Sequence, residues 1–360
     1  MSDRRVGDAL LSTHPGRVRA ARLTDLAAVG DLSRLSHGGD GGDDAPVRSL
    51  GLPVGGSPIS VFTLFRMPLG ALRQHDQLYV YEDDRGLAGL LRAERDAQRD
   101  EWTIVELDAI GLADAGDIRF RLVQHLLRDG AKRGAARFHV ACADGGGNVE
   151  LFMQAGFARY GEEWLLVRPE GEALPAPMPD EAAAAAGIRP VSHLDALALS
   201  RLYAAATPQP VARLEGYRLP DWERPANQWR VPRSSLAPIL RFADLSAFVQ
   251  VCLPGSDGAV TDELAGFVQV GVAKEDQPHY LRVIVRPGTD ASDLVAYGLG
   301  VIGAAVSERG HAVISPVRTY EAPVDSRLEE AGFQCIATVT LLVKETLVRV
   351  AEPALVPAIR

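Results

Sequence analysis

Long apolar runs, basic clusters and a secretion signal are all missing from this 360-residue chain. No stretch reaches the roughly 18 consecutive apolar residues that a membrane-spanning helix needs, and the first residues contain no signal-peptide apolar core. The 47 acidic residues outnumber the 38 lysines and arginines, and the resulting net charge of −9 argues against nucleic acid as the main partner. We therefore expect a cytoplasmic protein that binds neither membrane nor nucleic acid.

Cysteine and histidine are too sparse to suggest redox or metal chemistry. Cys142, Cys252 and Cys335 each stand alone on a predicted strand, which is typical of small buried apolar residues. The eight histidines show no paired spacing with cysteine or a carboxylate, so we expect no metal. A Walker loop, a dinucleotide fingerprint and a nucleophile elbow are absent as well. The common metal, phosphate-loop and serine-hydrolase sites are therefore not predicted.

The chain does contain an internal repeat. Ala155-Gly156-Phe157 and Ala331-Gly332-Phe333 each end a short helix before a β-branched strand, at an offset of 176 residues. Two further pairs keep this spacing to within one residue: Arg133-Gly134 with Arg309-Gly310, and Leu87-Ala88-Gly89-Leu90 with Leu264-Ala265-Gly266-Phe267. Three matches at nearly the same spacing indicate that the chain contains two copies of one domain.

Each half predicts the same order of elements: a strand, one or two helices, three strands in hairpin sequence, and then a helix, a strand, a short helix and a last strand. This order predicts a mixed α/β architecture in two tandem domains. We place a flexible arm at residues 1–16, the first domain at 17–168 and the second at 188–350. The linker at 169–187 contains four prolines and five consecutive alanines.

The element order, the glycine in the strand after the hairpin turn and the Arg-Gly and Gly-Phe helix ends together resemble the GNAT acyltransferase superfamily. The likeness covers about residues 17–168 and 188–346, so the chain resembles a tandem of two GNAT domains. The resemblance implies acetyl-CoA or another acyl-CoA as cosubstrate, and a small-molecule or peptide amine as acceptor. It does not by itself decide activity, because one fold can carry many functions.

Members of the superfamily hold the pyrophosphate of acyl-CoA with a glycine-rich loop before the long helix, where backbone N–H groups point at the anion. In the first half, residues 113–119 stand at this place and keep a single glycine, Gly116, beside two aspartates. In the second half, Thr289, Asp290 or Ser292 is predicted to cap the helix instead. For the first half, the resemblance implies these cofactor-binding residues: Ile110, Ala115, Gly116, Asp117, Ile118, Arg119, Asn148 and Phe152.

The superfamily also places a tyrosine four residues before the glycine of Gly-Phe, where it returns a proton to the CoA thiolate. Phe152 and Leu328 stand at this position, and neither can donate a proton. Tyr160 in the first half and Tyr320 in the second are the candidate substitutes, although packing on the sheet is the better account of each. Asn148 follows three glycines and is also predicted to cap the short helix.

A carboxylate on the strand before the loop is the general base that the resemblance implies. Glu106 lies at this place on the strand Trp102–Ile110, and Asp108 shares its face by period-two alternation. Two like charges side by side could raise one pKa toward neutrality, whereas a solvated strand end is the structural alternative. The matching strand His279–Arg286 contains no carboxylate, so the N-terminal half is the better catalytic candidate.

Two functions stay open. One is an acyl-CoA-dependent N-acyltransferase that acts through its N-terminal half. The other is a catalytically inactive tandem GNAT-fold protein that binds a protein partner or senses a ligand. The lost glycines and tyrosine favour the second, whereas a complete fold with a carboxylate on the key strand keeps the first open. A protein partner or a homodimer is compatible with either function.

Overall fold

The chain forms two compact units in a computed structural model. The first contains residues 1–49, 58–136 and 346–360, and the second contains residues 50–57 and 137–345. No helix among the described residues is both long and apolar enough to cross a bilayer. The structure describes residues 16–37, 50, 52, 76–96, 98–110, 115–143, 147–171, 173–224, 233–236, 240–252, 263–274, 277–305 and 312–346.

The first unit is a four-stranded antiparallel sheet in the order β1-β2-β3-β4, with a helix on each face. Val29 and Leu32 of the first helix pack on Leu90. Gly89 directly precedes Leu90 on β3, so it lies on the opposite face of the sheet. There it packs against Ile118 of the second helix. Its elements are β1 Arg17–Ala20, α1 Leu26–His37, β2 Asp76–Asp83, β3 Gly86–Asp96, β4 Glu101–Ala109 and α2 Ala115–Lys132.

The second unit contains a mixed sheet in the order β5-β12-β6-β11-β10-β9-β8-β7, in which only the β10–β11 pair is parallel. Its strands are β5 Arg137–Ala143, β6 Ala158–Arg168, β7 Ile188–Pro190, β8 Phe242–Val251, β9 Leu264–Ala273, β10 His279–Val285, β11 Val313–Arg318 and β12 Gln334–Glu345. Its helices are α3 Asn148–Gln154, α4 Asp180–Ala185, α5 Ala196–Ala206, α6 Gln209–Glu215, α7 Leu219–Trp222, α8 Ser292–Ala305 and α9 Ala322–Glu330.

The last strands of the two sequence repeats are exchanged within this sheet. Strand β12, from the second repeat, lies between β5 and β6 of the first, and β6 pairs on its other side with β11 of the second. The compact units therefore divide the chain differently from the repeats. The predicted domain boundaries at residues 168 and 188 stay a prediction about the repeats.

The two repeats match in local detail. Ala88 and Ala265 are both extra residues in a β-bulge, and the carbonyl of each accepts a 2.8 Å hydrogen bond, from the backbone N–H of Ile110 and of Arg286 respectively. The donors and the acceptors of these two hydrogen bonds are each related by the repeat spacing, to within one residue. The predicted mixed α/β architecture in two equivalent repeats is thereby confirmed.

Three local predictions were wrong. The alanine run in the predicted linker forms helix α4, because alanine is the strongest helix former and Ala183 can be buried there. Gly147, at φ 71°, is the N-cap of α3 in place of Asn148, since glycine adopts this left-handed conformation without strain. Of the cysteines only Cys142 is buried, whereas Cys335 is exposed near the start of β12.

Gly89 and Gly266 allow the long helix of each repeat to lie close to the sheet, and we expect alanine at either position to destabilise the fold. A Cβ on Gly89 would lie 3.2 Å from the carbonyl oxygen of Asp108, and one on Gly266 would lie 3.1 Å from that of Ile284. Each would also meet a side chain of the facing helix. Gly89→Ala and Gly266→Ala should each lower the free energy of unfolding by about 1–3 kcal/mol, because overpacking forces the helix outward.

Gly116→Ala is the matched control in urea denaturation, because a Cβ there would meet nothing within 4 Å. Alanine in a helix should leave the stability unchanged or raise it by up to about 1 kcal/mol. Equal losses in all three variants would contradict the close approach as the cause.

Candidate functional site

The predicted site residues lie in both units. Glu106, Asp108, Ile110 and residues 115–119 belong to the first unit, whereas Asn148, Phe152 and Tyr160 belong to the second.

Strand β4 carries a bulge beside the predicted base. Glu106 pairs with Arg92 and Asp108 pairs with Leu90, but Ile104 pairs with the next residue of β3, so that Val105 is left as the extra residue. Bulges re-aim neighbouring side chains and are common next to active sites. Because Leu90 packs against α1, both carboxylates lie on the α1 side of the sheet.

Both carboxylates are buried beside a cation, in contrast to the solvated strand end that was the structural alternative. Glu106 is 6% and Asp108 2% exposed. The Nε of Arg92 lies 3.3 Å from the Oε2 of Glu106. Burial lowers the pKa of Arg119, and the charge of Asp108 opposes that shift. Arg92 thus lies against Glu106, and Arg119 is electrostatically coupled to Asp108.

The start of α2 offers room for an anion. Ala115 and Gly116 begin this 18-residue helix, and a Cβ on Gly116 would meet nothing within 4 Å. Helix N-termini attract negative charge, and Asp117, which would repel it, forms an ion pair with Arg121 at 2.7 Å. Ile118 is buried against the sheet. Residues 111–114, the rest of the predicted loop, lie outside the described residues.

Ile110 directly follows β4. Its side chain is exposed, whereas its backbone N–H is already bonded to the carbonyl of Ala88. The backbone N–H of Ile110 is therefore already used within the sheet, whereas its side chain is free to contact a cofactor.

In the second unit, Asn148 and Phe152 are buried on α3. Phe152 is fully buried and packs edge-to-face on Phe157 with ring centroids 5.2 Å apart. Phe152 therefore packs in the hydrophobic core. Contact of Asn148 and Phe152 with a cofactor stays a prediction.

Tyr160 on β6 is a half-buried hydroxyl donor. Its ring lies edge-on to His139, with centroids 6.2 Å apart. Burial raises the pKa of Tyr160 to about 12; the charge of Glu215 adds to the shift, whereas Arg318 and Arg233 oppose it. The hydroxyl group therefore stays protonated at neutral pH and is able to donate.

In the second repeat, β10 and β11 separate soon after they begin. Their parallel pairing is confined to His279 with Val313 and Tyr280 with Ile314. The backbone N–H of His279 points toward β11, where it donates to Ala312 at 2.8 Å. By alternation, the backbone groups of Val283 point the same way.

A buried ion pair lies beside this separation of β10 and β11. Arg282 donates to both carboxylate oxygens of Glu321, at 2.7 and 2.8 Å, and also to the carbonyl of Val283 at 2.9 Å. Arg282 is 1% and Glu321 6% exposed. Arg282 stands 176 residues after Glu106, so the second repeat holds a paired cation where the first holds the predicted base.

A second buried charge cluster surrounds Arg318 at the end of β11. Its Nε lies 3.3 Å from Glu163, and its Nη2 donates to Glu215 at 3.0 Å. Tyr203 donates to Glu215 at 2.7 Å, and the backbone N–H of Ser235 donates to Glu163 at 3.0 Å. Neither cluster was predicted from the sequence. An arginine within each of the apolar strands β10 and β11 is nevertheless a recognisable signal of a buried ion pair.

Comparisons with known proteins identify the fold. No protein-family model and no curated protein matches the sequence. A tandem GNAT protein from the clavulanic acid biosynthesis pathway, solved without AcCoA, is similar over 92% of this chain and 98% of its own, with 14% identity and a TM-score of 0.53. A GCN5-related N-acetyltransferase from Sphaerobacter thermophilus is similar over 92% and 96%, with 15% identity and a TM-score of 0.51. This chain therefore has the fold of the tandem GNAT proteins.

Proposed function

We propose that the protein is an acyl-CoA-dependent N-acyltransferase whose first repeat is the catalytic half. One observation carries the proposal: the two repeats differ at the position of the base. Strand β4 is bulged at Val105 and bears Glu106 and Asp108, whereas β10 pairs regularly with β9 and bears the ion-paired Arg282. An acceptor ammonium must lose a proton before it can attack, and only the first repeat offers a carboxylate at this place.

In this proposal, Glu106 accepts that proton, directly or through a water molecule. Beside it, the negative charge of Asp108 is offset by the positive charge of Arg119. The backbone at Ala115 and Gly116, at the start of α2, binds the pyrophosphate. The role of Tyr160 as a proton donor stays a prediction. Acyl-CoA, when bound, supplies the acyl group, and a small-molecule or peptide amine accepts it.

A second candidate is a catalytically inactive protein that senses a ligand or binds a partner. Two observations favour it. In the second repeat, the ion pair between Arg282 and Glu321 lies beside the point where the strands separate, and in the first repeat Glu106 already has a cationic partner in Arg92.

Calorimetric titration with acetyl-CoA is the first test. We expect saturable binding at one site per chain and its loss in Gly116→Glu, because a carboxylate at the start of α2 would repel the pyrophosphate. The position is open, so the change should leave the fold intact.

Ser292→Glu is the matched control, since Ser292 occupies the equivalent place at the start of α8, 176 residues later. It should bind acetyl-CoA as the wild type does. Loss of binding in Ser292→Glu but not in Gly116→Glu would assign the cofactor to the second repeat. If acetyl-CoA, longer acyl-CoAs and free CoA all produce no heat, the acyltransferase proposal fails.

A further inference from the structure

Helix α2 and the start of β1 in the first unit border a groove. Its volume is about 450 Å³, large enough for a small organic molecule. It is lined by Gly16, Val18, Asp117, Phe120, Arg121, Gln124, His125 and Arg128.

Positive charge predominates in this groove. Asp117, its one acidic residue, is already paired with Arg121. Arg128 is exposed and forms no ion pair within the described part of the chain. Gln124 adds amide donors, and half-buried Phe120 adds an apolar surface. The lining therefore offers a cation and polar donors next to an aromatic ring.

His125 contributes hydrogen bonding without a full charge at neutral pH. Its ring lies edge-on to Tyr79, with centroids 5.2 Å apart, and the Tyr79 hydroxyl group donates to Asp129. Burial lowers the pKa of His125; Arg128 and Lys132 act in the same direction, whereas Asp129 opposes them. The imidazole is thus held at the side of the groove as a neutral donor or acceptor.

In the second repeat, the equivalent side of α8 is covered by the chain itself. A Cβ on Gly300 would lie 3.1 Å from the Cα of Pro177, and one on Gly303 would lie 3.1 Å from the carbonyl oxygen of Pro175. Leu174 and Met178 pack with Tyr297 and Val301 of α8 in the same core. Small and apolar residues on this helix therefore let residues 174–178 lie directly on it.

The described residues of the first repeat do not show that arrangement. Tyr297, Gly300 and Val301 of α8 correspond at the 176-residue spacing to Arg121, Gln124 and His125. Glutamine in place of Gly300 removes the close approach, and arginine and histidine replace Tyr297 and Val301. This side of α2 is therefore suited to a charged occupant, whereas the same side of α8 packs against the chain's own apolar segment.

We infer that this groove binds a small organic anion, a phosphate or carboxylate attached to an apolar ring, with Arg128 as its main charge partner and Phe120 against the ring. A paired charge and an apolar contact together give both affinity and orientation. The groove shares Asp117 with the implied acyl-CoA site, but the inference does not depend on the acyltransferase proposal.

Binding of phenyl phosphate to the full chain, followed by calorimetry, tests the inference. We expect saturable binding at one site, weaker binding of inorganic phosphate and none of benzyl alcohol. Arg128→Gln should weaken binding about tenfold, because it removes one charge-assisted hydrogen bond. Arg85→Gln, an exposed arginine at the β2–β3 turn outside the groove, should have no effect. An excess of acetyl-CoA should not displace the probe.

Several results would overturn the inference. They are the absence of saturable binding, an equal loss in Arg85→Gln, or displacement by acetyl-CoA, which would make the groove part of the cofactor site. Binding that requires prior removal of residues 1–15 would identify the chain's own arm as the occupant.

Discussion

Arg318→Met should lower the free energy of unfolding by about 3–5 kcal/mol, because it leaves two buried carboxylates without their cation. The side chains of Glu163 and Glu215 are 0% and 2% exposed, and both face the guanidinium group of Arg318. Methionine fills a similar volume, so the loss reports charge and not a cavity. Urea denaturation of the purified protein measures it.

Arg327→Met is the control for this prediction. Arg327 also contacts two carboxylates, Asp290 at 2.8 Å and Glu330 at 2.7 Å, but its side chain is 38% exposed. Solvent screens such a pair, so its removal should cost less than about 1 kcal/mol. Glu163→Gln and Glu215→Gln, added to Arg318→Met, should recover part of the lost stability. Equal effects at Arg318 and Arg327 would show that burial of the cluster does not determine its strength.

Glu106→Gln should reduce kcat for acyl transfer by about 10²–10⁴-fold, because the amide cannot accept the proton of the acceptor ammonium. Affinity for acetyl-CoA, measured by calorimetry, should not change, since Glu106 is proposed to act on the amine. The rate is followed as release of CoA thiol with a panel of small amines and peptide N-termini.

Glu101→Gln provides the comparison on the same strand. Glu101 is buried and ion-paired with Arg99 at 2.9 Å, so both variants remove one partner of a buried pair on β4. Only Glu106→Gln should lose activity. If both variants turn over like the wild type, Glu106 is not the base. If the wild type binds acetyl-CoA but acylates no amine in the panel, the inactive ligand-sensing function is favoured.

The strands and helices were largely predictable because their patterns are local. The apolar pattern predicts a strand over Arg137–Ala143, which are its observed bounds, and a helix over Ile118–Lys132, which begins three residues earlier in the structure. Gly89 and Gly266 were recognised as part of the repeat. Why glycine is needed at both positions follows only from the tertiary structure, in which a helix lies close to the sheet there.

The candidate site was predictable in part. Period-two alternation correctly placed Glu106 and Asp108 on one face of β4. It could not show that Arg92 and Arg119 lie beside them, because the register of β3 against β4 includes a bulge and α2 packs from further along the chain. The 176-residue repeat spacing relates Glu106 to Arg282 and could have drawn attention to that arginine. It could not identify Glu321 as its partner, because Glu321 lies outside strand β10 and far along the chain.

The sequence by itself determined the repeat and the order of elements, because periodicity, helix ends and turn residues act over a few neighbouring positions. The tandem GNAT-like architecture followed from the resemblance of that order to a known family. Only the tertiary structure decided the exchange of β6 and β12, the buried clusters around Arg282 and Arg318, and the groove beside α2. Each depends on residues from distant parts of the chain. Which strand edge pairs, and which carboxylate meets which arginine, depends on the register and packing of the whole sheet.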